Sequence, residues 1–329
     1  MRIKSLSTHR YEIPLSSGQL RRGVLIKLID ENENESWGEI APLPKWSKES
    51  LEDALQQLNQ KLVEITNMNW TAETYVEKIL KLSLLPSVSF GLESAILSIL
   101  LPLSNYTVPS CALLMGSFNE ILDQAELRFK EGYISAKLKV SNLSFEEAHK
   151  IICDLKDKFR LRIDVNRAWN TSESMQFFAK YSLDSFDYVE EPFLNPHDLG
   201  KFLHPLAVDE SFPQDLSLEE LETFPTLKAL IYKPTIQGGI ASCQRLLEWG
   251  RARNLDLVLS SSFESDLGLA CVASIAHRLG VGAPVGLGTY HFLKRHICSE
   301  PLQFIQSFAH IPARLTPPGL ATTGVTGLL

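Results

Sequence analysis

The chain has 329 residues, 44% of them hydrophobic and 22% charged, enough to bury a large core in one large domain or two. A formal net charge of −7, with no basic block longer than LRRG at residues 20–23, argues against a nucleic-acid-binding surface. The opening MRIKSLSTHRYEIP is too polar for a secretory leader. The most apolar stretch, AILSILLPL at 95–103, is too short for a bilayer span and contains Pro102, so neither export nor a membrane role is expected.

From the N-terminus, GVLIKLID reads as a strand, ENENES as a polar turn, and WGEIAPLP as a second strand running into a proline-rich loop. Leu51, Ala54, Leu55, Leu58, Leu62 and Ile65 then recur at helical spacing, with Ser47 as the expected N-cap. SVSFGLESAILSIL is a second, mostly buried helix. Strands followed by helices predict a small α+β unit over residues 1–106.

From about Val108 the rhythm changes. Strand-like runs recur about every two dozen residues: SAKLKV, LRIDVN, FDYVEEP, PLAVDES, ALIYKPT, LDLVLSSS and APVGLGT. That spacing suits βα units and predicts a parallel barrel of the (β/α)8 type or a close variant. A doubly wound open sheet is the rival, but no glycine-rich dinucleotide turn follows the early strands. The amphipathic stretch SMQFFAKY fits one of the intervening helices. Cys111, Cys153, Cys243, Cys271 and Cys298 are scattered and never in CxxC spacing, as expected of reduced thiols in a cytoplasmic protein.

Each run begins apolar and ends polar. Lys137 and Lys139 alternate onto one face of theirs; Asp164 and Asn166, Glu190 and Glu191, Asp209 and Glu210, Lys233, and Ser260 to Ser262 close the others. Strand C-termini converge on the mouth of such a barrel. For the two lysines alone, a strand with its cations in water would be the reading; three acidic strand ends in succession reverse it, because crowded charge in a half-dry site needs compensation. Asp164, Glu190 and Asp209 offer hard oxygen donors to a cation, and Mg²⁺ suits them; with no Cys or His at these ends, zinc does not. A second ammonium, a metal ion and partial burial would favour a neutral lysine able to take a proton from the carbon beside a carboxylate. Glu191 and Glu210 alternate away from the expected ligands and suit supporting or capping roles. Ser260 to Ser262 could equally cap a helix. Trp37, Trp70, Trp169 and Trp249 read as packing residues, and Trp46 as a pocket contact.

KxK, DVN, VEEP, VDES and IYKPT, in that order, resemble the enolase superfamily in its muconate-lactonizing-like branch. WGEIAPLP, RIDVNRAW, YKPTIQGG and SSSFESDLGL are similar to the o-succinylbenzoate synthases within it. The resemblance implies a modified TIM barrel, (β/α)7β, over residues 107–310, an N-terminal α+β capping domain over 1–106, and a C-terminal segment, 311–329, returning to the cap. It implies a Mg²⁺-dependent syn dehydration of 2-succinyl-6-hydroxy-2,4-cyclohexadiene-1-carboxylate to o-succinylbenzoate in menaquinone biosynthesis, through a metal-stabilised enediolate, with Mn²⁺ as a possible substitute ion. Lys139 would be the base, Lys137 and Lys233 fixed cations, and Asp164, Glu190 and Asp209 the metal ligands. Ser260 and Gly286 would hold the succinyl carboxylate through backbone groups, with Asn166 in the pocket wall. The loops 17–22 and 42–46 would close over the substrate. One departure stands out: Gly288 lies where many relatives carry an acid.

The partner expected is thus a small carboxylate. An N-acylamino acid racemase or dipeptide epimerase on the same scaffold is the nearest alternative. A Schiff-base aldolase working through Lys139 or Lys233, and a barrel kept only for binding, are more distant.

Overall fold

A computed structural model describes residues 1–317 and 327–328. The N-terminal unit is an antiparallel sheet of β1 (Ile3–Pro14), β2 (Leu20–Asp30) and β3 (Glu35–Ile40), packed against helices α1 (Leu51–Asn67), α2 (Tyr75–Leu82) and α3 (Pro86–Leu100). The sequence reading did not include β1. Its centre carries Ser7, Thr8 and His9, and the register against β2 shifts between Ile3 and Ser5, so its alternation breaks where pattern reading needs it. Helix α1 starts a turn later than expected. Ser50, not Ser47, is the N-cap, in a reciprocal capping box with Asp53, while the Ser47 hydroxyl accepts the Leu43 N–H at 2.9 Å to close the preceding loop.

The rest is a curled sheet of seven parallel strands. In spatial order they are β5 (Ala112–Leu114), β6 (Ser135–Lys139), β7 (Arg160–Asp164), β8 (Tyr188–Glu190), β9 (Leu206–Val208), β10 (Leu227–Tyr232) and β11 (Asp256–Leu259). Helices α4 (Phe118–Lys130), α5 (Phe145–Leu155) and α6 (Thr171–Phe178) join the first four strands. Capping boxes start all three, from Ser117/Glu120, Ser144/Glu147 and Asn170/Glu173. Short α7 (Ser211–Gln214) and α8 (Leu218–Leu221) lead to β10; α9 (Pro234–Gln237) and α10 (Ile240–Arg251) lead to β11, which is followed by α11 (Asp266–Leu279).

The expected strand APVGLGT is reduced to two bridging residues. Val285 pairs in parallel with Ser110 and Gly286 with Ser260, so this segment closes the gap between β11 and β5. The Val285 N–H reaches the Pro109 carbonyl at 2.8 Å and the Gly286 N–H the Leu259 carbonyl at 2.8 Å. The chain therefore forms a modified TIM barrel, (β/α)7β, beneath an α+β cap. A small antiparallel sheet of β12 (Gln303–Ile305), β13 (Phe308–Ile311) and β4 (Tyr106–Pro109) lies at its side. The two-residue β14 (Gly327–Leu328) pairs with β1, while residues 318–326 and 329 of the expected C-terminal segment lie outside the described residues.

Two cap carboxylates plug into the barrel. Glu93 on α3 accepts the Ala241 N–H at 2.8 Å, at the start of α10, and the Ser89 hydroxyl at 2.6 Å. Glu39 on β3 accepts the Ser265 and Gly268 N–H groups, both at 3.0 Å, at the start of α11, and the Tyr11 hydroxyl at 2.7 Å. Carboxylates at helix N-termini satisfy orphan donors and meet the positive end of the dipole. Burial nevertheless pushes both acids up to about 7.

Candidate active site

The charged strand ends meet. Lys137 and Lys139 project from β6 into the barrel, while Ala136, Leu138 and Val140 are fully buried on the other face. The Lys137 ammonium lies 2.6 Å from Glu190 Oε1 and 3.0 Å from Asp164 Oδ2; Lys139 is also 3.0 Å from Asp164 Oδ2. Across the acids, Lys233 at the end of β10 pairs with Asp209. Asn166 accepts from the Lys139 ammonium through Oδ1 and donates its N–H to Asp164 Oδ1 at 2.9 Å. Its φ of 49°, with 57° at Arg167 and 45° at Glu191, puts strained non-glycine backbone at two adjoining strand ends.

Burial penalises every charge here, and the neighbours decide the outcome. Burial pulls Lys137 down, but Asp164, Glu190 and Asp209 outweigh it and hold the ammonium well above its ordinary value. Lys233 is likewise raised against burial, chiefly by Asp209. Asp164 is lowered despite burial, by Lys137 and then Lys139. Glu190 is pushed up to about 8, first by burial and then by the charge on Asp164.

That imbalance bears on a cation. Asp164 Oδ2 lies within ion-pair distance of both lysines yet in hydrogen-bond alignment with neither, and Glu190 Oε2 has no hydrogen-bond partner. A buried carboxylate oxygen without a hydrogen-bond partner, such as Glu190 Oε2, is costly. Among the described residues no trio of acids, histidines or cysteines is already closed round a point, because the lysines stand between the carboxylates. The donor set fits a hard divalent ion that would draw Asp164, Glu190 and Asp209 away from their ammonium partners. Glu191 faces away and accepts the Asp209 and Ser211 N–H groups, both at 2.9 Å, fixing the end of β9 as a support. Glu210 is pushed up to about 8 by burial, then by Asp209 and Glu191.

The charges open on a cavity of about 280 Å³. Ser260 to Ser262 line it instead of capping a helix; the cap of α11 is Ser265. The Ser260 N–H is committed to the Tyr232 carbonyl and the Gly286 N–H to the Leu259 carbonyl. What these two residues offer a ligand is a hydroxyl and the room left by a missing side chain. A Cβ on Gly286 would stand 2.7 Å from Ser260 Oγ, and one on Gly288 2.5 Å from Leu113 Cβ, so an acid at 288 has no space. Arg162 and Tyr188 also line the cavity and were missed. Each precedes an acidic strand end by two residues, the same alternation that pairs Lys137 with Lys139. Leu43 and Trp46 come from the 42–46 loop, and the Trp46 ring lies 5.4 Å from the Lys233 ammonium. No residue of 17–22 lines the cavity.

Residues 3–99 match the family model described as MenC, N-terminal domain, and residues 120–323 the one described as Enolase C-terminal domain-like. The chain is 31% identical over 313 residues to an o-succinylbenzoate synthase from Yersinia enterocolitica, covering 89% of this chain and 92% of that protein. It is 31% identical over 322 residues to one from Haemophilus influenzae, covering 90% and 93%. Among solved structures, a mandelate racemase/muconate lactonizing protein from Herpetosiphon aurantiacus matches with a TM-score of 0.82 at 17% identity, covering 98% of this chain and 99% of that one. The L-Ala-D/L-Glu epimerase from Bacillus subtilis matches at 0.81 and 19%, with the same coverage. At such identities these two establish the fold alone.

Proposed function

We infer the working of the site from one premise: this chain belongs to the o-succinylbenzoate synthase family of the enolase superfamily. It is a carbon–oxygen lyase that dehydrates 2-succinyl-6-hydroxy-2,4-cyclohexadiene-1-carboxylate to o-succinylbenzoate. The observation that carries the residue roles is the placement of Lys137 and Lys139 on one side of Asp164 with Lys233 paired to Asp209 beyond. We assign Lys139 as the base. Its amine takes the proton α to the ring carboxylate, the C–O bond on the same face breaks, and the resulting ammonium returns that proton to the departing hydroxide as water. The lysine ends neutral and the ring aromatic. Lys137 is assigned to face the charge that builds on the substrate carboxylate, and Lys233 to supply a second fixed cation.

Members of the superfamily generally use a divalent metal. We propose Mg²⁺ here, with Mn²⁺ able to replace it, held by Asp164, Glu190 and Asp209; when bound it supplies positive charge at the substrate carboxylate and so acidifies the neighbouring C–H. Ser260, Gly286 and Asn166 are proposed to shape the pocket around the substrate. The family-model spans support a cap at 1–106 and a barrel at 107–310. Cytoplasmic residence is proposed from five cysteines that are all free. The test is an assay of the purified protein with the cyclohexadiene carboxylate. Turnover that stops with EDTA and returns with Mg²⁺ is expected. Exchange of the α-proton of N-succinylamino acids without any dehydration would instead favour a racemase.

A further inference from the structure

Next to residues that line the pocket, but not itself among them, lies a buried cation. Arg21, on β2 of the cap, is 3% exposed, and its guanidinium gathers carbonyls from both halves of the molecule. Nε donates to Phe263 at 3.0 Å, Nη1 to Pro42 at 2.9 Å and to Arg22 at 3.2 Å, and Nη2 to Ala41. Ala41 and Pro42 begin the cap loop whose Leu43 and Trp46 line the cavity; Phe263 lines it together with Ser260 to Ser262 of the barrel. Phe263 itself has φ 60°, left-handed backbone that a non-glycine side chain adopts only when its surroundings enforce it.

We propose that Arg21 is a positioning residue for this reaction, tying the Leu43–Trp46 loop to the Ser260–Phe263 loop so that the pocket walls are set before substrate arrives. The proposal rests on the dehydratase reading above for its kinetic readout. The chemistry suits arginine and no other residue. A planar fork with five N–H donors can serve carbonyls lying in different directions, and it stays charged when buried. Lysine keeps the charge but gathers fewer carbonyls from one point. Methionine fills the volume and gathers none. Because Arg21 touches no reacting atom, its loss acts on how well the substrate is held and leaves proton transfer by Lys139 in place.

The experiment compares Arg21→Lys and Arg21→Met with the parent protein. Arg21→Met is expected to raise KM about tenfold or more with kcat within about threefold, and Arg21→Lys to fall between; Mg²⁺ affinity by calorimetry stays at the parent value. A second readout needs no substrate. Acrylamide quenching of Trp46, taken as the difference between each protein and its Trp46→Phe version, is expected to rise about twofold in both variants. Should Arg21→Met fail to fold, Arg21→Lys decides alone. A KM and a Trp46 quenching unmoved in Arg21→Lys would overturn the proposal, as would a kcat that falls only with the folded fraction. A parent protein with no turnover would strike the dehydratase reading and leave the quenching test standing.

Discussion

Lys137 and Lys139 share one oxygen: both ammonium groups stand 3.0 Å from Asp164 Oδ2. Two cations on a single carboxylate is an arrangement with tension in it. Lys137 has a second acid, Glu190, at 2.6 Å, while the other contact of Lys139 is the uncharged amide oxygen of Asn166. The two lysines are thus chemically unequal despite their adjacency. Lys137 sits between two carboxylates, whereas Lys139 has one carboxylate and an uncharged amide beside it.

Lys139→Ala should abolish turnover, by about 10³-fold or more, with circular dichroism and thermal midpoint close to the parent. Lys139→Arg should be as inactive, since a guanidinium does not deprotonate. Substantial turnover in either variant would remove Lys139 as the base.

Asp209→Asn should weaken Mg²⁺ binding, by about tenfold or more in a calorimetric titration, because an amide oxygen carries no charge to the ion. The same substitution deprives Lys233 of its ion-pair partner. An unchanged affinity would strike Asp209 from the ligand set.

Much of this site could be read from the sequence because strand alternation and charge coincide there. Lys137, Asp164, Glu190, Asp209 and Lys233 each interrupt an apolar run at its polar end. Arg162 and Tyr188 obey the same alternation but lie deeper, where a polar residue reads as ordinary strand chemistry; Arg162 is in fact engaged with Asp187 at 3.0 Å and the Pro284 carbonyl at 2.9 Å. Strand β5 is only Ala112–Leu114, too short to show a period, so it does not announce itself; the closing segment does, as APVGLGT, although it pairs through Val285 and Gly286 alone. Arg21 was out of reach for another reason. Its partners are backbone carbonyls, and carbonyls leave no mark in a sequence.

Gly288→Ala should destabilise the fold by about 1–3 kcal/mol in urea unfolding, because the new methyl would meet Leu113 Cβ at 2.5 Å and its backbone nitrogen at 2.8 Å. Gly288→Asp should be worse, since its Cβ meets the same Leu113 atoms, and is expected to bring no preference for ammonium-bearing substrates. A stable Gly288→Asp protein that epimerises dipeptides would contradict this.

Glu93→Gln should change how stability depends on pH. The folded-state value of Glu93 is pushed by burial from 4.5 up to about 7. Below about 4.5 both folded and unfolded states hold the proton. Between 4.5 and 7 the unfolded state releases it first, so the parent loses stability as pH rises, and above 7 the loss is complete. Glutamine has no such proton. The unfolding free energy of Glu93→Gln relative to the parent should rise across that window, by up to about 3 kcal/mol, and then level off. A difference independent of pH would refute it.

The seating of Glu39 and Glu93 has a consequence for how the molecule is made. The N–H groups that receive them lie 226 and 148 residues further along, at Ser265 and Ala241. As the chain leaves the ribosome, the antiparallel sheet and its helices emerge first, with two acids aimed at positions where nothing yet exists. Until α10 and α11 have been synthesised, this N-terminal third can only collapse loosely or keep those acids in water. Its final shape waits for the last third of the polypeptide, and a nascent chain arrested before residue 240 should be a ready substrate for chaperones and proteases.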